Sequence, residues 1–152
     1  MSEYFTTTYD KFELRVRKEF YYTNDDLWVS LENGKAKVGV SDYLQKTSGD
    51  VAFIEVAKPG STVEKGKELG TMESAKTTIE LLSPLSGTLQ EANNNLSVKP
   101  ELVNSDPYGD GWIVVISPLN LEGDRSSLLS AEEYYTLMLG KLQSEHGKLE
   151  SR

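Results

Sequence analysis

The chain has 152 residues, of which 38% are hydrophobic, and sets 16 basic against 24 acidic side chains for a net charge of −8. An acidic surface repels phosphate backbones, and no apolar run approaches the roughly 20 residues that span a bilayer, so neither nucleic acid nor a membrane is expected as a partner. The absence of cysteine excludes a disulfide framework, a thiolate metal site and a thiol nucleophile, and the single histidine, His146 in a polar tail, leaves no imidazole site.

The first twenty residues, MSEYFTTTYDKFELRVRKEF, place no apolar segment behind a basic start, so no secretory signal is read and the expected compartment is the cytoplasm. Residues 1–18 read as an N-terminal extension in which Phe12, Leu14 and Val16 alternate with Glu13, Arg15 and Arg17, the period of an added edge strand. Between the strand-like runs WVSLE and KAKVGV, Asn33-Gly34 is a hairpin-turn signal. SDYLQKTSG, at 41–49, opens on a Ser or Asp cap and stops at Gly49, which predicts one or two helical turns.

Further strands are predicted at VAFIEV, ended by Pro59-Gly60, and at STVEKGKELGTME, punctuated by Gly66 and Gly70. TTIELLSP, SGTLQEAN and, after an irregular stretch holding Pro100 and Pro107, WIVVISP complete the set. Many short strands with frequent turns predict a mainly β sandwich or barrel over residues 19–125. Over 126–152 the chain reads as a helix and polar tail: Ser130 and Glu133 form a capping box, and Tyr134, Leu137, Met138 and Leu142 share one face for docking on the β body. Trp28 and Trp112 are expected in the core.

Lys76 stands between TMESA and TTIEL, two strands of a predicted hairpin. A hairpin fixes the backbone while the four-carbon stem projects into solvent, where a modifying enzyme can reach the amine. A group attached there becomes an arm whose end can enter several active sites, at a raised effective concentration in each.

ESAKTTIELLSPLSGTLQEANN, followed by PELVNSDPYGDGW at 100–112, resembles the H proteins of the glycine cleavage system, and KVGVSDYLQKTSGDVAFIEV and SAEEYYTLM extend the resemblance over about residues 20–138. Biotin carriers usually flank their lysine with methionines, where this chain has Ala75 and Thr77; acyltransferase lipoyl domains usually place Asp before the lysine and lack the second block. The resemblance implies a lipoyl/biotinyl-type barrel-sandwich fold with lipoic acid amide-linked to Lys76, whose dithiolane brings the sulfur the polypeptide lacks. It also implies that Glu73 and Ser74, in the turn motif, mark the turn for the lipoylating enzyme. Glu80, four residues past the lysine, falls where the family often has Asp, beside the cleft that shelters the loaded arm.

The partners implied are a pyridoxal-phosphate glycine decarboxylase, a folate-dependent aminomethyltransferase and a flavin dihydrolipoyl dehydrogenase. The chain would act as a non-catalytic, monomeric carrier among them. One departure bears on substrate: the family usually has His-Glu-Trp before its first long strand, and this chain reads Asp26-Leu27-Trp28. Two other readings are consistent with the residues, namely an H-like lipoyl carrier or lipoate reservoir serving another pathway, and an unmodified β interaction module.

Overall fold

In a computed structural model the chain is described over residues 3–150, with side chains through Ser144. Strands β1 (Tyr4–Tyr9) and β2 (Phe12–Arg17) form an antiparallel hairpin. The expected alternation holds at Leu14 and Val16, which are buried, while Phe12 stays 47% exposed. The hairpin is not an edge of a larger sheet, however; it is a separate two-stranded sheet.

Next come β3 (Tyr21–Tyr22), β4 (Leu27–Glu32) and β5 (Lys35–Val40). Asn33 and Gly34 join β4 to β5 with φ of 53° and 76°, the two positive values that match the twist of flanking strands. Helix α1 (Asp42–Ser48) is capped as expected: Ser41 Oγ accepts from Leu44 N, and Gly49, at φ 82°, ends it. Strands β6 (Val51–Val56), β7 (Thr62–Val63), β8 (Glu68–Ser74), β9 (Thr78–Leu82) and β10 (Gly87–Ala92) follow.

A 3-10 turn at Asn94–Ser97 and the short helix α2 (Leu102–Ser105) fill the irregular stretch before β11 (Val114–Pro118). Helix α3 (Leu121–Arg125) leads to the long α4 (Ala131–Glu150). Both bonds of the capping box are made at the start of α4: Glu133 N donates to Ser130 Oγ at 3.1 Å, and Ser130 N to Glu133 Oε1 at 2.8 Å.

Six strands run in the order β3-β4-β5-β11-β10-β7, and three in the order β6-β8-β9. Because side chains alternate along a strand, β4 sends Leu27 and Val29 to one face and Trp28 to the other. The first face closes over the three-stranded sheet around Val38, Met72, Leu81, Leu89 and Ile116. The second is covered by the β1–β2 hairpin and α4, which enclose Tyr22, Trp28, Tyr108, Tyr134 and Met138. At Leu27–Val29 and Val38–Val40 both faces of the large sheet are therefore buried, whereas Lys35 and Lys37 reach solvent from the other end of β5.

The docking of α4 is fixed by Asp26. Its carboxylate accepts from Lys141 Nζ at 2.8 and 2.9 Å and from Tyr134 OH at 2.8 Å. Since the Tyr134 proton goes to Asp26, Ser41 Oγ supplies the hydrogen of its own 2.9 Å bond to Tyr134 while accepting from Leu44 N. Burial pushes the Asp26 carboxyl above the ordinary 3.8, outweighing the lowering from Lys141 and Tyr134. A raised carboxyl contributes most to stability below the ordinary value and loses that contribution as pH rises through the raised one. In urea unfolding from about pH 3 to about pH 7, the stability difference between wild type and Asp26→Asn should accordingly shrink with rising pH; the other carboxylates, common to both chains, cancel.

Candidate functional site

Strands β8 and β9 project as the expected hairpin, paired up to Glu73 and Thr78, with Lys76 exposed in the turn beyond. The turn is closed on itself by two bonds to the Thr77 carbonyl, one from Ser74 N and one from Ser74 Oγ, each 2.9 Å. Ser74 therefore has a local structural duty. The turn is also tied to the body, since Ala75 N donates to the Asp50 carbonyl at 2.9 Å and Lys76 N to the Ser48 carbonyl at 3.4 Å.

The lysine stem lies along Gly49: a Cβ at Gly49 would sit 3.7 Å from Lys76 Cγ and 4.0 Å from Cε. Lys76 Nζ makes no hydrogen bond or ion pair among the described residues. A fixed backbone thus carries an unengaged amine, the arrangement an amide-linked arm requires.

Residues Ser48 to Val51, against which the turn rests, are held by Asn104. Its Oδ1 accepts from Val51 N at 2.9 Å, and its Nδ2 donates to Gln45 Oε1 at 3.0 Å and to the Gly49 carbonyl at 3.1 Å. Gln45 Nε2 in turn donates to Asp42 Oδ1 at 2.8 Å, and Asp42 Oδ2 accepts from Arg15 N at 2.9 Å and from Lys46 Nζ at 3.2 Å. A hydrogen-bonded chain thereby runs from the N-terminal hairpin through α1 to the lysine turn. Sequence reasoning missed both Asn104 and Gln45.

Replacing Asn104 with aspartate keeps the acceptor for Val51 N and removes both donors. The expected loss is about 1–3 kcal/mol, read by urea unfolding. Faster amide hydrogen exchange at Val51 and Ala75 should accompany it.

Glu73 and Glu80 are both exposed. Glu73 lies directly across from Thr78, and Glu80 across from Thr71, on the outer face of the three-stranded sheet. Leu27 is 2% exposed and packs in the main core opposite Val40, so it presents nothing to the lysine turn. The polar character of the neighbouring position is kept, but Asp26 is directed to α4.

In the Asn104–Trp112 block, Gly109 N and Gly111 N both donate to the Asp106 carbonyl, closing the turns that lead into β11. Trp28 is fully buried, whereas Trp112 is only half-buried, lying under Lys37 Nζ at 5.3 Å. The described residues contain no group of three or more His, Cys, Asp or Glu able to hold a metal, and no helix long and apolar enough to cross a membrane.

Two sheets closed over one core, with a hairpin projecting from the smaller, define a lipoyl/biotinyl-type barrel-sandwich domain. The chain belongs to the glycine cleavage H-protein family, whose model matches residues 20–140. It is 44% identical over 123 residues to the "probable glycine cleavage system H protein" of Pyrococcus horikoshii, covering 80% of this chain and 91% of that one. The glycine cleavage system H protein of Bacteroides fragilis is 43% identical over 113 residues, covering 74% of this chain and 89% of that one. The crystal structure of the glycine cleavage system H protein from Mycobacterium marinum superposes with a TM-score of 0.72 at 30% identity, covering 78% of this chain and 95% of the other. The β1–β2 hairpin precedes the residues that the family model matches.

Proposed function

We propose that Lys76 bears lipoate in amide linkage and that the chain is a carrier of glycine cleavage, moving an aminomethyl group between enzymes. The observation that carries this reading is the exposed, unengaged Lys76 amine on a turn fastened to Asp50 and Ser48, in a chain of the H-protein family. Attachment is acyl transfer: the deprotonated Nζ attacks the carbonyl carbon of an activated lipoyl donor and an amide bond forms. The bond to the leaving group breaks, and the nitrogen's proton passes to the transferring enzyme or water. The attached arm would supply a dithiolane that takes up the aminomethyl group, gives it up and is reoxidised, chemistry for which the chain has no sulfur of its own outside methionine.

What the chain's own residues do is hold and present. Ser74 and the Asp50 and Ser48 carbonyls fix the root of the arm, and Glu80 offers a carboxylate to a cationic load. The partners would be the pyridoxal-phosphate decarboxylase, the aminomethyltransferase, the dihydrolipoyl dehydrogenase and a lipoylating enzyme, visited by a cytoplasmic monomer. Intact-mass analysis after incubation with a lipoylating enzyme tests attachment. Glycine-dependent methylamine loading in the presence of the decarboxylase tests the pathway.

A second reading, a lipoyl carrier of another pathway, is favoured by one observation: Leu27 is buried in the core where the family usually has glutamate. Lipoylated protein that supports no glycine decarboxylation with competent partners would decide for it.

A further inference from the structure

By strict alternation, VAFIEV would place Val51, Phe53 and Glu55 on one face of β6 and Ala52, Ile54 and Val56 on the other. The register contradicts this. Val51 pairs with Ser74 and Phe53 with Glu73, so one residue of β6 is extra and a bulge falls at Ala52. Beyond the bulge the faces are exchanged: Val51 stays buried, Ala52 and Phe53 both face out, and Ile54 turns inward against Met72. Phe53 ends 66% exposed, although an unbulged strand would have carried it to the core face with Val51.

Cross-strand partners share a face, so the register lays out what surrounds Phe53. Its row is Phe53, Glu73 and Thr78, and the next row along is Glu55, Thr71 and Glu80. The outer face directly beneath the lysine turn is thus one large apolar side chain among three exposed carboxylates. An exposed aromatic side chain that a partner can bury is the usual anchor of a binding hot spot, and the carboxylates around it call for a cationic rim on the partner.

Building on the lipoyl-lysine reading, we infer that the outer face of β6-β8-β9, centred on Phe53, is the docking surface for the enzyme that transfers the lipoyl group to Lys76. That enzyme takes Phe53 in an apolar pocket rimmed by Lys or Arg. The choice of occupant follows from reach. Before modification the only tether is the lysine stem, so an acylating enzyme must lie against the protein immediately beside the turn. Enzymes that use the finished arm can meet its end farther out.

The test measures initial lipoylation rates of the full-length chain against its concentration, with a lipoate–protein ligase, lipoate, ATP and magnesium. Phe53→Ser should raise KM at least tenfold with kcat nearly unchanged, and leave the melting temperature where it was. Leu119→Ser removes an apolar side chain that is 83% exposed beside Ser86, past the end of β9 remote from Lys76, and should change nothing. Added salt should raise the wild-type KM, because the rim charges are exposed.

An unchanged KM for Phe53→Ser on a wild-type chain that is lipoylated at Lys76 overturns the docking surface and leaves the carrier reading standing. A Phe53→Ser chain that is lipoylated normally but fails in methylamine loading also overturns it, and gives the face to the decarboxylase. Failure of the wild type itself to accept lipoate removes both readings.

Discussion

Lys76→Arg should yield a folded protein that accepts no lipoate and carries nothing. Arginine keeps the positive charge and the exposed stem, but its guanidinium does not lose a proton in proteins and offers no nucleophilic nitrogen. Nothing in the fold depends on the lysine amine. The turn is held through the Ser74 hydroxyl and through backbone bonds to Thr77, Asp50 and Ser48. An exposed substitution of this kind changes stability by less than about 0.5 kcal/mol, so the melting temperature should stay within about 2 °C. Incorporation, read by intact mass and located by peptide mapping, should fall from one lipoyl group to none.

The other lysines do not stand on the fastened β8–β9 turn: Lys58, Lys65, Lys67 and Lys99 are exposed elsewhere, and four more are engaged. Lys46 and Lys141 are paired with Asp42 and Asp26, and Lys18 and Lys37 lie over the rings of Phe5 and Trp112. A lipoyl group found on any other lysine of the wild type would refute the assignment of the site.

What the sequence disclosed of this architecture was what short-range chemistry dictates. The Asn33-Gly34 turn, the Ser41 cap and the Ser130/Glu133 box each depend on residues within four positions of one another, and each forms as its composition requires. The Lys76 hairpin belongs with them. The bulge at Ala52 does not, because VAFIEV reads as a plain strand and only pairing with β8 shows the extra residue that turns Phe53 outward.

Asn104 was hidden for a related reason. Its partners are Gln45, Gly49 and Val51, more than fifty positions away, so no local pattern in the irregular stretch that contains it points to them. Helices α2 and α3, at four and five residues, are too short to show a period. Asp26 stands where the family's histidine would be, and its role becomes visible only when α4 folds back to bring Lys141 against it. Trp112, expected inside, lies instead at the margin of the second core.

Trp28→Ala should be the most damaging single change away from the lysine. The indole is fully buried, stacks on Phe20 at 4.6 Å and donates from Nε1 to the Pro107 carbonyl at 2.9 Å. It therefore fastens the Asp106–Trp112 turns to β4 while filling the second core. Truncation removes the ring and opens a cavity, a loss of about 3–5 kcal/mol, which for a chain of this size lowers the melting temperature by about 10 °C. Trp28→Phe separates the contributions: most of the packing survives but the buried Pro107 carbonyl loses its donor, and about 1–3 kcal/mol of the loss should remain.

The residue across the strand supplies a sharper check. Gly39 pairs with Trp28, and a Cβ there would lie 2.5 Å from the indole ring, so Gly39→Ala should be costly in the wild type. With alanine at 28 the obstruction is gone. Combined in a double-mutant cycle by urea unfolding, the two changes should be strongly non-additive, with Gly39→Ala nearly neutral in the Trp28→Ala background. Simple additivity would mean that the indole does not occupy the space above Gly39, and the account of how the second core closes over β4 and β5 would fail with it.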